Sequence, residues 1–227
     1  MSVPASASGQ GRQGRRVPSL VLLVVLVALW LIAASFRLLL LPSATSLLAE
    51  HTVNDRLSAL DHAQLVEVAE RGRAFVMGAE GVTLPAGDDG RTAFPSDVVG
   101  HMEDVRDVLC AVRLAAVAIM VLLLVVAVYV WRRAGRKALG LGLLVGAVAA
   151  VAATLLFVAL GALNFNALFA AMHQLFFAEG TWVFAEDSLL ICAYPLGFWI
   201  GMGATWALLL LLASALVALL GIVLRRR

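Results

Sequence analysis

The sequence predicts an all-α polytopic membrane protein with four transmembrane helices. Hydrophobic residues make up 62% of the 227 residues and charged residues only 14%, whereas a soluble domain is about half apolar and about a quarter charged. Four stretches are long enough to cross a hydrocarbon core, which needs about 20 apolar residues. Clusters of basic residues alternate along the chain with the two segments that hold every acidic residue. Lipid is therefore the expected solvent.

The predicted spans run from 17 to 41, 108 to 131, 138 to 163 and 201 to 224. A basic tail rich in Ser, Gly and Gln, residues 1–16, precedes them and is predicted to be disordered and cytoplasmic. The first apolar run exceeds the roughly 7–15 residues of a signal-peptide core, so we expect a retained anchor. Residues 17–227 are expected to form a single membrane domain.

Charge predicts the orientation of the spans. The basic clusters are Arg12, Arg15 and Arg16, then Arg132, Arg133, Arg136 and Lys137, then Arg225, Arg226 and Arg227. Four crossings place all of them on one side, and cytoplasmic loops carry such an excess. Every acidic residue lies in the two remaining segments, 42–107 and 164–200. Both termini are therefore predicted to be cytoplasmic, with the polar chemistry at the outer face.

The two outer segments differ in character. The first is predicted to begin as an amphipathic helix, whose apolar residues are Val53, Leu57, Leu60 and Val68. Turns or a short hairpin follow at Gly78, Pro85, Gly87 and Gly90, and a helix runs from Asp97 into the second span. The second outer segment is aromatic and barely charged, so we expect it to lie in the membrane interface or to re-enter it.

Several kinds of chemistry lack the residues they need. The net charge is +2 and no basic stripe alternates with aromatic rings, which argues against a nucleic-acid partner. The sequence contains no HExxH, CxxC or GxSxG pattern, so no metal, no cofactor and no enzymic nucleophile are expected. Cys110 and Cys192 are predicted to be small buried hydrophobic residues; a disulfide between them is the alternative in an oxidising compartment.

Two histidines are candidate acid–base groups. His173 lies among apolar and aromatic residues, where imidazole is costly unless it is functional; the alternative is an interfacial residue that is hydrogen-bonded to a backbone carbonyl. His101 has Asp104 one turn further along the same helix face, where a carboxylate orients imidazole in catalytic triads; the alternative is a solvated helix end. His51 and His62 are expected to face solvent.

Three arginines are candidates to bind lipid phosphate or a carboxylate. Arg106 and Arg113 lie nearly two turns apart on one helix, and Arg37 lies near the outer end of the first span. The alternative for all three is that they extend to the outer interface while their aliphatic parts stay in an apolar environment.

Two stretches carry a resemblance to a known family. HMEDVR at 101–106, and the run from His173 through Trp199, resemble a family of bacterial integral membrane proteins that includes the lipoprotein intramolecular transacylase. The resemblance covers nearly the whole chain. It implies an enzyme of the bacterial cytoplasmic membrane that acts in the outer leaflet. Such an enzyme moves the sn-2 acyl chain of a lipoprotein's diacylglyceryl group onto the amine of its N-terminal cysteine, which gives the lyso form.

The resemblance also implies roles for individual residues. The family's two essential histidines match His101 and His173. From the proton transfers that the reaction needs, we assign His173 as the base and His101, steadied by Asp104, as oxyanion stabiliser or proton donor, or the reverse. The expected substrate-binding residues are Arg106, Arg113, Trp182, Asp187, Tyr194 and Trp199. Diacylglyceryl-modified lipoprotein and membrane lipid are the expected partners. Leu196 departs from the glutamate that is common in the family at its position.

Two other classes of protein make different predictions. A non-catalytic membrane module, such as a sensor or an assembly partner, would leave the two histidines apart and the outer face flat. A transporter would carry polar residues near the middle of the membrane, and the predicted spans carry almost none. The transacylase hypothesis predicts instead that His101 and His173 approach each other in one cleft.

Overall fold

A computed structural model of the protein describes residues 16–226, and helices dominate that part of the chain. They are α1 (Arg16–Leu39), α2 (Pro42–Thr52), α3 (His62–Val76), α4 (Ser96–Leu163), α5 (Phe165–Phe176), α6 (Leu189–Ala193) and α7 (Leu196–Arg226). Between residues 16 and 226 there is no strand, only an isolated bridge between Ala86 and Phe94. The all-α prediction is confirmed. The predicted tail lies, except for Arg16, outside the described residues.

Within the described chain, α1, α4 and α7 are long and apolar enough to cross a membrane, which agrees with a helical membrane protein. At 1.5 Å per residue, the 68 residues of α4 would extend about 100 Å, far beyond the roughly 30 Å of a hydrocarbon core. Gly135, with φ 81° and ψ 173°, interrupts this helix. Its left-handed φ suits a residue without Cβ. The break divides α4 into a first arm (96–134) and a second arm (136–163).

One compact unit comprises the described parts of Met1–Ser35, Ala115–Leu155 and Leu209–Arg227. Small residues allow its helices to approach closely. A Cβ at Gly146 would lie 2.6 Å from Cβ of Val27, and a Cβ at Gly140 would lie 2.6 Å from the carbonyl oxygen of Gly221. Small residues of this kind mark helix contacts in membranes, where association depends on close packing. The second arm of α4 therefore packs directly against both α1 and α7.

Alanine substitutions at two helical glycines, Gly146 and Gly203, are expected to change the unfolding temperature in opposite directions. Alanine in a helix is more stable than glycine by about 0.5–1 kcal/mol, and a Cβ at Gly203 meets nothing within 4 Å. We therefore expect Gly203→Ala to raise the unfolding temperature of the purified protein in detergent. Gly146→Ala is expected to lower it because the added methyl collides with Val27. Equal rises in both variants, measured by intrinsic fluorescence, would contradict the close contact.

The second compact unit comprises Phe36–Leu114 and Leu156–Leu208, and it brings segments 42–107 and 164–200 together. The Tyr194 hydroxyl donates a 2.6 Å hydrogen bond to the carbonyl oxygen of Ala69, and a Cβ at Gly72 would collide with that hydroxyl. The Asn54 N–H donates to the Cys192 carbonyl at 2.9 Å. These bonds join residues more than a hundred positions apart in the sequence, so the two segments form one packed body.

The predicted amphipathic helix is wrong in one respect, because it consists of two helices. α2 ends at Thr52, and α3 begins after a capping box in which Asp61 and Gln64 each accept a backbone N–H of the other. Val53, Leu57 and Leu60 lie in the connection between them. Capping satisfies backbone donors that would otherwise lack partners, and it fixes the start of a new helix.

The structure confirms the start of one predicted helix and moves the start of another. The helix expected from Asp97 is confirmed, since α4 begins at Ser96. α7 begins at Leu196, directly after Pro195 and five residues before residue 201, where the last span was predicted to start. The aromatic residues of segment 164–200 therefore divide between α5, the loop that follows it, α6 and the first turns of α7.

Candidate active site

His101 lies in the second turn of α4 and is buried, with 8% of its surface exposed. Its Nδ1 atom is buried and has no hydrogen-bond partner among residues 16–226. Buried polar atoms in folded proteins nearly always have a partner, and leaving one unsatisfied costs about 1–3 kcal/mol. An unpartnered ring nitrogen at this position is therefore available to a group that is not part of the chain.

His173 lies near the end of α5 and is also buried, with 7% of its surface exposed. Its Nδ1 atom is 2.9 Å from the carbonyl oxygen of Phe169. Because a carbonyl oxygen only accepts, Nδ1 carries the proton in the neutral ring and Nε2 presents a lone pair. The carbonyl hydrogen bond expected under the alternative interpretation of His173 thus exists, and it also leaves Nε2 in the form that a general base requires.

Burial lowers the pKa of His173 below its usual value of 6.5, and the hydrogen bond to Phe169 opposes that shift only in part. Because the charged form is disfavoured, we expect His173 to remain neutral as the pH falls through 6.5. NMR of the ¹³C-histidine-labelled protein in micelles would follow the ring, with the His173→Asn variant assigning its resonance and a blocked histidine amide as reference. Titration of His173 above pH 6.5 would contradict this environment.

The two rings lie in one place. Their centroids are 6.2 Å apart, with an angle of 25° between the ring planes. Four aromatic side chains surround them, which we call the aromatic cluster: Phe169, Phe177, Trp182 and Phe184. Phe177 contacts both histidines, at 5.0 Å from His101 and 5.6 Å from His173. The second compact unit thus places two imidazoles among apolar side chains.

Trp182 contributes a polar atom as well as an apolar surface. Its ring lies 4.9 Å from His173, and its Nε1 is buried with no partner among the described residues. Indole nitrogen only donates. The site therefore holds an unused N–H donor from Trp182, in addition to the unpartnered Nδ1 of His101. An indole N–H of this kind suits a developing oxyanion or an ester oxygen.

Asp104 is exposed, and no carboxylate binds the buried Nδ1 of His101 in the part of the chain that the structure describes. The hydrogen bond expected from the helical spacing of these two residues is therefore not formed at that nitrogen. Sharing a helix face puts two side chains within reach. A shared face does not move the charged carboxylate of Asp104 out of solvent and into the buried aromatic site.

Other predicted site residues lie outside the histidine pair's contacts. Arg106 is exposed, with its guanidinium carbon 5.6 Å from the Phe75 ring centre. Arg113 is exposed and lies 3.8 Å from the Cys110 sulfur. Arg37 is also exposed. None of these three arginines forms an ion pair within residues 16–226.

Three residues of the second motif have different surroundings. Asp187 pairs with Arg91 at 4.0 Å, and the hydroxyl of Tyr194 is bonded to Ala69. Trp199 contacts Phe169, at 5.6 Å between ring centres. Of the six predicted substrate-binding residues, Trp182 alone has a ring contact with a histidine in the described chain. Asp187 and Tyr194 thus each contact a residue that is distant in sequence within the second compact unit.

The prediction from sequence missed three rings of the aromatic cluster: Phe169, Phe177 and Phe184. Phe169 and Phe177 stand four residues before and after His173, the spacing that puts side chains on one face of a helix. That spacing is a usable indication. Phe184 lies in the loop after α5, and nothing in its local pattern distinguishes it from the neighbouring aromatic residues.

The two cysteines are both free thiols, Cys192 buried and Cys110 exposed. The disulfide that the sequence left open is not formed. Cys192 is the small buried residue that was expected, and its sulfur donates to the Glu186 carbonyl at 3.7 Å. Cys110 was also expected to be buried, and that prediction is wrong because its side chain is exposed.

Comparison with known proteins decides the family. The family model of the lipoprotein intramolecular transacylase Lit matches residues 19–199. The chain belongs to the lipoprotein intramolecular transacylase family. As a member of this transacylase family it is an acyltransferase, and it is a membrane protein. The non-catalytic module and the transporter are not supported. No protein among those curated for function matches the sequence.

Solved structures support the same fold for this transacylase. It is similar to the membrane-integral lipoprotein intramolecular transacylase Lit from Bacillus cereus, with 17% identity, a TM-score of 0.76, and coverage of 94% of this chain and 97% of that one. A variant of the Bacillus cereus protein with one histidine replaced by arginine gives 16% identity, a TM-score of 0.75, and coverage of 98% and 97%. At these identities the likeness concerns the fold.

Proposed function

We propose that the chain transfers the sn-2 acyl chain of an S-diacylglyceryl group onto the α-amino group of the N-terminal cysteine of a bacterial lipoprotein. The product is an N-acylated, S-monoacylglyceryl lipoprotein. The observation that supports this reaction best is the buried pair of histidines, 6.2 Å apart, within the aromatic cluster. Two imidazoles in an apolar site are suited to moving protons while an acyl group passes between two atoms of one substrate.

The proposed step forms one bond and breaks one bond. The substrate amine attacks the ester carbonyl carbon, the N–C bond forms, and the C–O bond to the glyceryl oxygen breaks. Nε2 of His173 accepts the proton from the amine, because the carbonyl of Phe169 holds Nδ1–H. The His173 imidazolium so formed then gives this proton to the departing glyceryl oxygen, and neutral His101 stabilises the oxyanion with a hydrogen bond from its ring N–H. Each proton transfer of this kind contributes typically about 10²–10⁴-fold.

This reaction uses no nucleophile from the enzyme. Amine and ester belong to one molecule, so holding them in contact replaces an encounter between two reactants and lowers the barrier by up to about 7–11 kcal/mol. The aromatic cluster offers an apolar surface to acyl chains, and Trp182 offers its unused N–H to the oxyanion. Exclusion of water from such a site favours attack by the amine over hydrolysis of the ester.

We further propose four membrane crossings: α1, the two arms of α4, and α7. The break at Gly135 lies between Arg133 and Arg136, within a basic cluster, and such clusters favour the cytoplasmic side. A turn there allows the second arm to return across the bilayer. Both termini then lie in the cytoplasm, and the histidines serve the outer leaflet of the cytoplasmic membrane.

Mass spectrometry of a lipoprotein's N-terminal peptide tests the proposed function. A bacterial host that lacks N-acyltransfer would express this chain, and the peptide would be compared with that of the host alone. We expect the diacylglyceryl peptide with a free amine to be replaced by the N-acyl, S-monoacylglyceryl peptide of equal mass, which fragmentation distinguishes. An unchanged free amine, despite full expression of folded protein, would contradict the proposal.

A further inference from the structure

A cavity of about 590 Å³ lies between the second arm of α4 and the end of α7. It is lined by Lys137, Ala138, Leu141, Ile222, Arg225 and Arg226. All of these residues belong to the compact unit that contains the first helix and the end of the last. Three cationic side chains thus border a hollow whose other walls are apolar.

The cations of this cavity have no anionic partner in the described chain. None of the ion pairs among residues 16–226 includes Lys137, Arg225 or Arg226. The sequence carries no Asp or Glu between residues 108 and 178 or after residue 187. Neutralising charge for this cluster therefore comes from outside the protein's side chains.

The close approach of the two helices builds the cavity. Gly140 and Gly221 face each other, and a Cβ at Gly140 would also lie 2.9 Å from Cγ of Arg225. The aliphatic part of Arg225 therefore lies across the backbone of the second arm. Arg225 and Lys137 both line this cavity.

We propose that this cavity binds the headgroup of an anionic phospholipid, a function separate from acyl transfer. Lys137, Arg225 and Arg226 bind the lipid phosphate. Guanidinium groups are suited to phosphate oxygens because they offer paired N–H donors. The start of an acyl chain lies along Leu141 and Ile222. Basic pockets between transmembrane helices bind anionic headgroups on the cytoplasmic side of membranes.

Native mass spectrometry of the full chain in detergent tests the site. With phosphatidylglycerol we expect a saturable adduct of one lipid, and with phosphatidylcholine at the same concentration much less. Since a cation near a membrane surface contributes about 1 kcal/mol, Lys137→Gln with Arg225→Gln should weaken phosphatidylglycerol binding roughly 30-fold. Arg132→Gln with Arg133→Gln is the matched control, which removes the same charge outside the cavity lining and should keep the adduct.

Two outcomes would overturn the proposal. Equal binding of both lipids by the unaltered chain would show that the phospholipid's net charge is not recognised. Equal weakening in the two double variants would assign the effect to overall charge. Inorganic phosphate, added at the lipid concentration, is expected not to displace the lipid. Full displacement would show that the cavity binds a simple anion and does not recognise a lipid.

Discussion

Replacing His173 with alanine is expected to slow acyl transfer by about 10²–10⁴-fold, the usual contribution of a positioned acid–base group. The substitution removes Nε2, which lies in a buried ring whose other nitrogen is committed to the Phe169 carbonyl. The measurement is the single-turnover rate with a synthetic diacylglyceryl lipopeptide and the purified variant. Acyl transfer within threefold of the unaltered chain would contradict the role of base.

The chain offers a matched control for this variant. His51 makes the same kind of bond, from Nδ1 to the carbonyl four residues earlier, at 2.7 Å to Leu47, but its side chain is exposed. His51→Ala is therefore expected to keep the full rate. His173→Asn preserves an N–H near the Phe169 carbonyl and lacks Nε2. Loss of activity in this variant, with an unchanged unfolding temperature, separates the base from the structural hydrogen bond.

Replacing His101 with alanine is the second large effect, because the loss of one donor to an oxyanion slows a reaction by about 10²–10³-fold. The ring lies 6.2 Å from His173, and its buried Nδ1 has no partner in the described chain. If the two rings act on one transition state, the double alanine variant should be little slower than either single variant, because residues that act as a unit are not additive. Single-turnover rates of the three variants measure this. A double variant whose rate is reduced by the product of the two single reductions would contradict a shared step.

A substitution of Asp104 tests whether His101 acts without a carboxylate partner or is oriented by Asp104, as the sequence predicts. A carboxylate that oriented the ring would make Asp104→Asn nearly as slow as His101→Ala. Because Asp104 is exposed and the buried ring nitrogen of His101 is unpartnered, we expect the Asp104→Asn variant to lose much less. The same rate assay gives the answer.

The fold could be predicted to the extent that it depends on composition and charge. The lengths of the apolar stretches and the basic cluster around Gly135 predicted two separate helices. The structure has one long helix that is interrupted at Gly135, because a single glycine with left-handed φ is enough to break it. The connection after α2 was missed because Val53, Leu57 and Leu60 imitate helical spacing. The capping pair Asp61 and Gln64 was the local indication that could have corrected it.

The candidate site was predictable in its histidines and much less so in its surroundings. His101 and His173 stand out because imidazole is rare among apolar residues. Asp187 and Tyr194 contact Arg91 and Ala69, which are distant in sequence, so no local pattern reveals these partners. Motif membership selected both residues, and their role in substrate binding stays a prediction.

The most direct test of the central claim is a crossover experiment with purified protein. Two diacylglyceryl lipopeptides would be mixed, with different peptide masses and with different sn-2 acyl chains, one of them ¹³C-labelled. Because the amine and the ester that react belong to one molecule, we predict that each N-acylated product carries its own parent acyl chain. Products with exchanged acyl chains would contradict the direct intramolecular transfer that the two histidines are proposed to catalyse.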